Sequence, residues 1–252
     1  DVTHRWTARL ERQYYLDLAA RGLRFPIGTD LVLHEDGDAA GIMLDGERLG
    51  RVMEAAARRY RTPLAMPLMD LSIDKADLLR TLGIGGEEAG QFHFSEPPPE
   101  SALESVASAL DAPFAPRNQA HIDSVRYIAR HTDLLPVGMA IGPFSLTTKL
   151  MADPITAVAM AGAGLTAADD PAILMAERCL ALAEMAVARS IRAQARAGAR
   201  AMLICEPAAN TVYLSPKQIE RGADIFERFV MQPALRLKAR LADAGVDLIF
   251  HD

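Results

Sequence analysis

Short apolar runs and longer amphipathic stretches take turns along this chain. The runs are Leu64 to Met69, Leu135 to Ile141, Ala201 to Cys205 and Val246 to Phe250. Each is too short for a buried helix and is bounded by Gly, Pro or charged residues, so each predicts a strand buried on both faces. Helical periodicity fills the intervals. Over Glu47 to Arg61 the residues Leu49, Val52, Met53 and Ala56 share one face, and Thr62-Pro63 ends the helix. Further helices are predicted over 74–82, 100–110, 119–130, 145–151 and 154–164. The longest runs from Pro171 to Ala197 with the stripe Ile173, Ala176, Leu180, Ala183, Val187 and Ile191. Pro171 suits its first position, and Gly198 suits its stop. Ser215-Pro216-Lys217-Gln218 reads as a capping box. It opens a helix toward Ala244 that Pro233 must kink or divide.

The N-terminal region differs. Residues 1–24 carry a helical pattern rich in Arg and aromatics, which Phe25-Pro26-Ile27-Gly28 breaks. Residues 28–46 read as an irregular polar arm, and residues 83–100, with Pro97-Pro98-Pro99, as a loop. Apolar strands alternating with amphipathic helices mean parallel βαβ units, either in an open doubly wound sheet or in a (β/α)₈ TIM-type barrel. The expected α/β organisation is an N-terminal helical extension and arm over residues 1–62, followed by the first half of a barrel over 63–252. Four strands are predicted where a barrel needs eight. At about 30 residues per unit, roughly 120 residues more would complete one. A half-barrel exposes two strand edges, so pairing into a homodimer is a further expectation.

Composition narrows the function. The chain has 252 residues, half of them hydrophobic and 24% charged, with a net charge of -6. This excludes a largely disordered chain and argues against a broad nucleic-acid footprint. No apolar run approaches the length that crosses a bilayer. Cys179 and Cys205 lie far apart in apolar surroundings. They read as small core residues of a reduced, cytoplasmic protein.

In parallel α/β folds chemistry collects at the C-terminal strand ends. Those ends carry Asp70, Gly142-Pro143-Phe144, Glu206 and His251-Asp252. Two carboxylates and an imidazole would then face one mouth, although each alone could simply cap a turn or helix. His34-Glu35-Asp36 on the arm is a candidate contributor to the site, with an exposed polar loop as the plain alternative. His93, between Phe92 and Phe94, is expected to be partly buried. The arginines at 189, 192, 196 and 200 are expected on a solvated helix face. There is no dinucleotide fingerprint, P-loop lysine or GxSxG elbow.

Several of these segments resemble the uroporphyrinogen decarboxylase superfamily. They are Gly142-Pro143-Phe144-Ser145-Leu146, Ala197-Gly198-Ala199 before a strand, Leu214-Ser215-Pro216 at a helix start, and Val246 to His251. The resemblance is best over about residues 135–252 and weaker over 47–84, and it implies a (β/α)₈ barrel with extra N-terminal helices. It covers two chemistries: cofactor-independent decarboxylation of a porphyrinogen, and zinc-dependent methyl transfer involving a corrinoid protein. Asp70 matches the decarboxylases' aspartate. However, Phe25-Pro26-Ile27-Gly28 lacks their arginine pair, Lys149 stands in place of a tyrosine, and Glu206 to Asn210 stands in place of a serine segment.

Glu206-Pro207-Ala208-Ala209-Asn210 is more similar to the methyltransferase branch, and His251 falls at that branch's first zinc ligand. The resemblance thus implies zinc held through His251, a corrinoid carried by a partner protein, and a small-molecule methyl donor or acceptor. Asp70 and Glu206 would be catalytic, or Glu206 a zinc ligand or the partner of one. Gly142, Phe144, Asn210 and His34 would contact substrate. The alternatives are a porphyrinogen carboxy-lyase using Asp70, or an inactive fragment that serves as a binding module.

Overall fold

The computed structural model describes residues 10, 12–23, 28–86 and 88–251. Four strands, β1 (Leu64–Ala65), β2 (Leu135–Ile141), β3 (Ala201–Cys205) and β4 (Asp247–His251), form one sheet in chain order. Every pairing is parallel, with Leu64 beside Leu135, Ile141 beside Cys205, and Cys205 beside His251. All four predicted strands are present, and every residue of β2 and β3 is buried. This is a mixed α/β fold around a four-stranded parallel sheet.

The first apolar run yields only two strand residues, and its chemistry explains why. Side chains alternate along a strand, and so do the backbone groups facing a given neighbour. Pro63 O accepts from Leu135 N, so positions 63, 65 and 67 face β2. Pro67 has no N–H to donate, and the ladder ends there.

One face of the sheet gathers Leu64, Met66, Val137, Met139, Leu203 and Cys205, with Leu18 of the helix Arg12–Ala20 buried against them. That helix is tied to the start of β4 by Tyr15 Oη, which donates to Asp247 Oδ2 at 2.8 Å. The other face lies under the helices Pro116–His131, Pro143–Leu150, Pro154–Gly162 and Pro171–Ala197. Aspartates open several helices. Asp45 accepts from Glu47 N and Arg48 N, Asp153 from Thr156 N, and Asp170 from Ala172 N.

Several expectations change. Residues 1–9, 11 and 24–27 lie outside the described set, so the extension is seen only from the helix Arg12–Ala20. The arm is not irregular throughout. It folds into the short helices Thr29–Leu33 and Ala39–Ile42, whose Leu33 and Ile42 are buried with Leu49 and Leu68. The 83–100 loop holds a short helix, Glu88–Gln91, and a bridge between Phe94 and Met151. His93 is exposed between Phe92 and Phe94, whose rings meet edge to face.

The capping box at Ser215 does not form. Ser215 makes no cap bond, while Gln218 Nε2 donates to Ala159 O of a neighbouring helix. The helix it begins ends at Glu220. Pro233 then lies near the start of the helix Gln232–Asp243, preceded by a π turn over Glu227–Met231. The widened turn accommodates the ring and the missing N–H that an α-helix interior would reject.

Arg189 is not solvated either. It is 6% exposed, paired with Asp77, donates to Ala112 O at 2.5 Å, and lies 3.7 Å from the centre of the Phe114 ring. Breaking a buried pair strands its other charge. Asp77→Ala should therefore lower the unfolding free energy by about 3–5 kcal/mol, measured by urea denaturation. A loss within the range of an ordinary surface substitution would show the pair to be dispensable.

Candidate functional site

The C-terminal edge of the sheet brings the ends of β2, β3 and β4 together, with the loop after β1 beside them. At the end of β3, Glu206 is 1% exposed. Its Oε2 accepts from Phe144 N at 3.2 Å, and its Oε1 accepts from Ser145 N. The carboxylate thus serves the first turn of the helix Pro143–Leu150, where backbone N–H groups lack helical partners. Glu206 N donates to His251 O at 2.6 Å, and Gly142 N donates to Cys205 O at 2.6 Å. Cys205 and Glu206 together therefore join the ends of three strands.

Gly142 is required by this approach. A Cβ there would lie 2.1 Å from Glu206 Oε2. Ser145 Oγ completes the junction by accepting from Ala208 N at 2.9 Å. Burial is the main cause that pushes the Glu206 carboxyl up to about 7, against the hydrogen bonds from Ser145 and Phe144.

Asp70 sits beyond β1 with its side chain 17% exposed. Arg117 Nη2 lies 2.6 Å from its Oδ2, and Asp70 Oδ1 accepts from Ser72 N at 3.0 Å. It therefore shapes the turn into the helix Ile73–Thr81 and also presents a partly accessible, cation-paired carboxylate.

A layer of buried polar residues that sequence reasoning missed lies behind it. Beyond Pro67 no strand covers the odd-numbered backbone groups of β2, and side chains take its place. Gln194 Oε1 accepts from Met139 N while Gln194 Nε2 donates to Met139 O, both at 2.9 Å. Asp74 Oδ2 accepts from Ile141 N at 3.3 Å. Gly138 lets the amide in, since a Cβ there would lie 2.6 Å from Gln194 Oε1. Burial pushes the Asp74 carboxyl up to about 6 and, opposed by a hydrogen bond with Met139, the nearby His121 imidazole down to about 4. The detectable signal was polarity on an apolar stripe. Gln194 is three residues after Ile191, and His121 is four before Val125.

The other expected site residues differ in exposure and partners. Phe144 is fully buried, edge-on to Tyr213 and tilted against Phe229, so its ring fills the core. Asn210 is exposed, but its amide serves its own turn, donating to Pro207 O at 2.6 Å and accepting from Val212 N at 2.8 Å. His34 is 64% exposed and pairs with Asp30 at 3.4 Å. His251 is exposed at the end of β4. Its register partner is Cys205, which places both on the same sheet face.

Cys205 and Cys179 are buried, their thiols pushed up to about 11 and about 12, with burial the largest cause. Among the described residues, no group of three or more His, Cys, Asp and Glu could hold a metal. A catalytic zinc takes three protein ligands. His251 with Cys205 falls short of that set. Among the described residues, no helix is long and apolar enough to cross a membrane.

No family model matches the chain, and no curated protein matches it. Among solved structures it is similar to a methyltransferase from Methanosarcina mazei, with a TM-score of 0.59 at 14% identity. The match covers 89% of this chain and 61% of that one, so the chain spans less than two thirds of its neighbour's length. At this identity the likeness concerns the fold.

Glu206 supplies a test. Its folded pKa of about 7 lies above the ordinary 4.5. Between these values the folded state holds the extra proton, so this group's contribution to stability is lost as pH rises from about 4.5 to about 7. Glu206→Gln should flatten that part of the pH–stability curve by up to about one proton's slope, read from denaturant unfolding across the window. An unchanged slope would contradict the assignment.

Proposed function

We propose that the chain belongs to a methyltransferase of the uroporphyrinogen decarboxylase superfamily and forms the first half of its (β/α)₈ barrel. It would move a methyl group between a corrinoid carried by a partner protein and a small-molecule acceptor or donor. The observation that carries this reading is the shared strand-end rim, with Asp70 on its arginine, Cys205 and Glu206 joining three strand ends, and His251 on the face of Cys205. The fold likeness to a methyltransferase and the sequence resemblance both support it.

The roles divide by accessibility. Asp70 is the carboxylate placed to meet substrate, because it is partly exposed and Arg117 fixes it. Glu206 acts as a positioning residue, because both of its oxygens are occupied by backbone N–H groups. It holds the helix turn that follows Gly142 and, through its own N–H, the end of β4 with His251. A corrinoid would supply the methyl group itself. Zinc would activate an acceptor thiol, and His251 would be the contribution of this chain to its ligands.

The test is methyl transfer from methylcobalamin to a panel of small thiols by the full-length protein, with product read by mass spectrometry. Thioether formation is expected, falling by at least about tenfold in Asp70→Asn, a typical loss for a group acting in the transition state. Carbon dioxide release from a porphyrinogen without thioether formation would overturn the reading in favour of a carboxy-lyase.

A further inference from the structure

The loop over residues 110–114, ahead of the helix Pro116–His131, is gripped by arginines. Arg192 Nη2 donates to Leu110 O at 2.8 Å, Arg189 Nη2 to Ala112 O at 2.5 Å, and Arg80 Nη2 to Pro113 O. These bonds satisfy carbonyls that no helix or strand serves. They give Arg80, Arg189 and Arg192 a structural role.

Two further arginines converge on the same place. A cavity of about 300 Å³ lies between this loop and the helices Pro116–His131 and Pro171–Ala197. Arg126, Arg189, Arg192 and Arg196 all line it. Arg126 and the other three stand on different helices, so helical spacing alone does not explain their meeting. The loop contacts explain neither Arg126 nor Arg196.

Charges do not balance there. Asp77 is shared by Arg189 and Arg80, Asp123 lies against Arg126, and Asp111 lies 3.0 Å from Arg192. Arg196 holds no carboxylate among the described residues. Five guanidiniums thus meet three carboxylates, on a chain whose net charge is -6.

Donors are left over as well. Arg126 gives only Nη1 to its aspartate, and Arg192 uses only Nη2. Arg189, 6% exposed, has a buried Nε–H without a partner. A guanidinium carries five N–H donors in a fixed fork, which fits the oxygens of phosphate or carboxylate two at a time. The surplus of two positive charges matches a phosphate group, whose second proton is mostly lost at neutral pH, better than a monocarboxylate. Phe114 and Ala193 add apolar wall to the same cavity.

We infer that this cavity is a binding site for a phosphate group, held by Arg126, Arg192 and Arg196 and backed by Arg189. No residue of the strand-end rim lines it, so the inference does not rest on the methyl-transfer reading. The phosphate belongs either to a small organic ester, whose body would lie on Phe114 and Ala193, or to the free ion.

Phenyl phosphate, inorganic phosphate and benzoate would each be titrated into the full-length protein by calorimetry at fixed ionic strength. Phenyl phosphate is expected to bind one to one with Kd on the order of 0.1 mM, and benzoate at least about tenfold more weakly. Arg196→Ala removes an exposed side chain and breaks no ion pair, so it should fold as the parent protein does. It should weaken phenyl phosphate binding at least about tenfold, the loss of one charge-assisted bond. Arg236→Gln removes the same charge outside the cavity and should bind as the parent protein does. Tighter binding of phenyl phosphate than of inorganic phosphate assigns the site to an ester, and the reverse or equality assigns it to the free ion. No saturable binding, benzoate as tight as phenyl phosphate, or equal losses in Arg196→Ala and Arg236→Gln would overturn the inference, whatever the methyl-transfer assay gives.

Discussion

Beyond Pro136 the edge of β2 that faces β1 has no strand to bond with, because Pro67 ends the short ladder. The groups on that edge are buried, and an unpaired buried backbone group costs about 1–3 kcal/mol. The structure meets this constraint with side chains. The Gln194 amide offers one acceptor and one donor to Met139, as a peptide group of a neighbouring strand would, and Asp74 takes the N–H of Ile141. The opposite edge has its full ladder, Val137 to Ile141 against Ala201 to Cys205. Glu206 prolongs that order past the end of β3. The end of β2 is thus held from both sides, and the turn at Gly142 inherits its position from that restraint.

The consequences for function are geometric. Asp74 is on the first turn after the loop that bears Asp70, so the bond that satisfies Ile141 also anchors Asp70 relative to the strand ends. Glu206 links the turn at Phe144 and Ser145, its own strand and His251. A rim built this way is set by buried, low-entropy contacts, which a site needs if its groups are to stay oriented.

Much of the frame was legible in the chain. The apolar runs at 135–141 and 201–205 are strands over their full predicted length, and the helix from Pro171 to Ala197 matches at both ends. Apolar periodicity reports burial, and burial is what these elements share. The polar wedge was less visible because Asp74, His121 and Gln194 are spread over three helices, and their common strand edge exists only in the fold. Arg189 was misread for a related reason. An arginine four residues before Ala193 looks like a solvated face until Asp77 and Phe114 are brought against it. Pro233 was read correctly as a disturbance, but the π turn ahead of it is a backbone solution that side-chain pattern does not encode.

Side chains stand in for a strand along β2, and amide hydrogen exchange at Met139 and Ile141 tests this most directly. In the parent protein both amides should exchange as slowly as Ala140, which pairs with β3, and Gln194→Leu should accelerate Met139 selectively. Rapid exchange at Met139 in the parent protein, or no change on removing Gln194, would contradict the account.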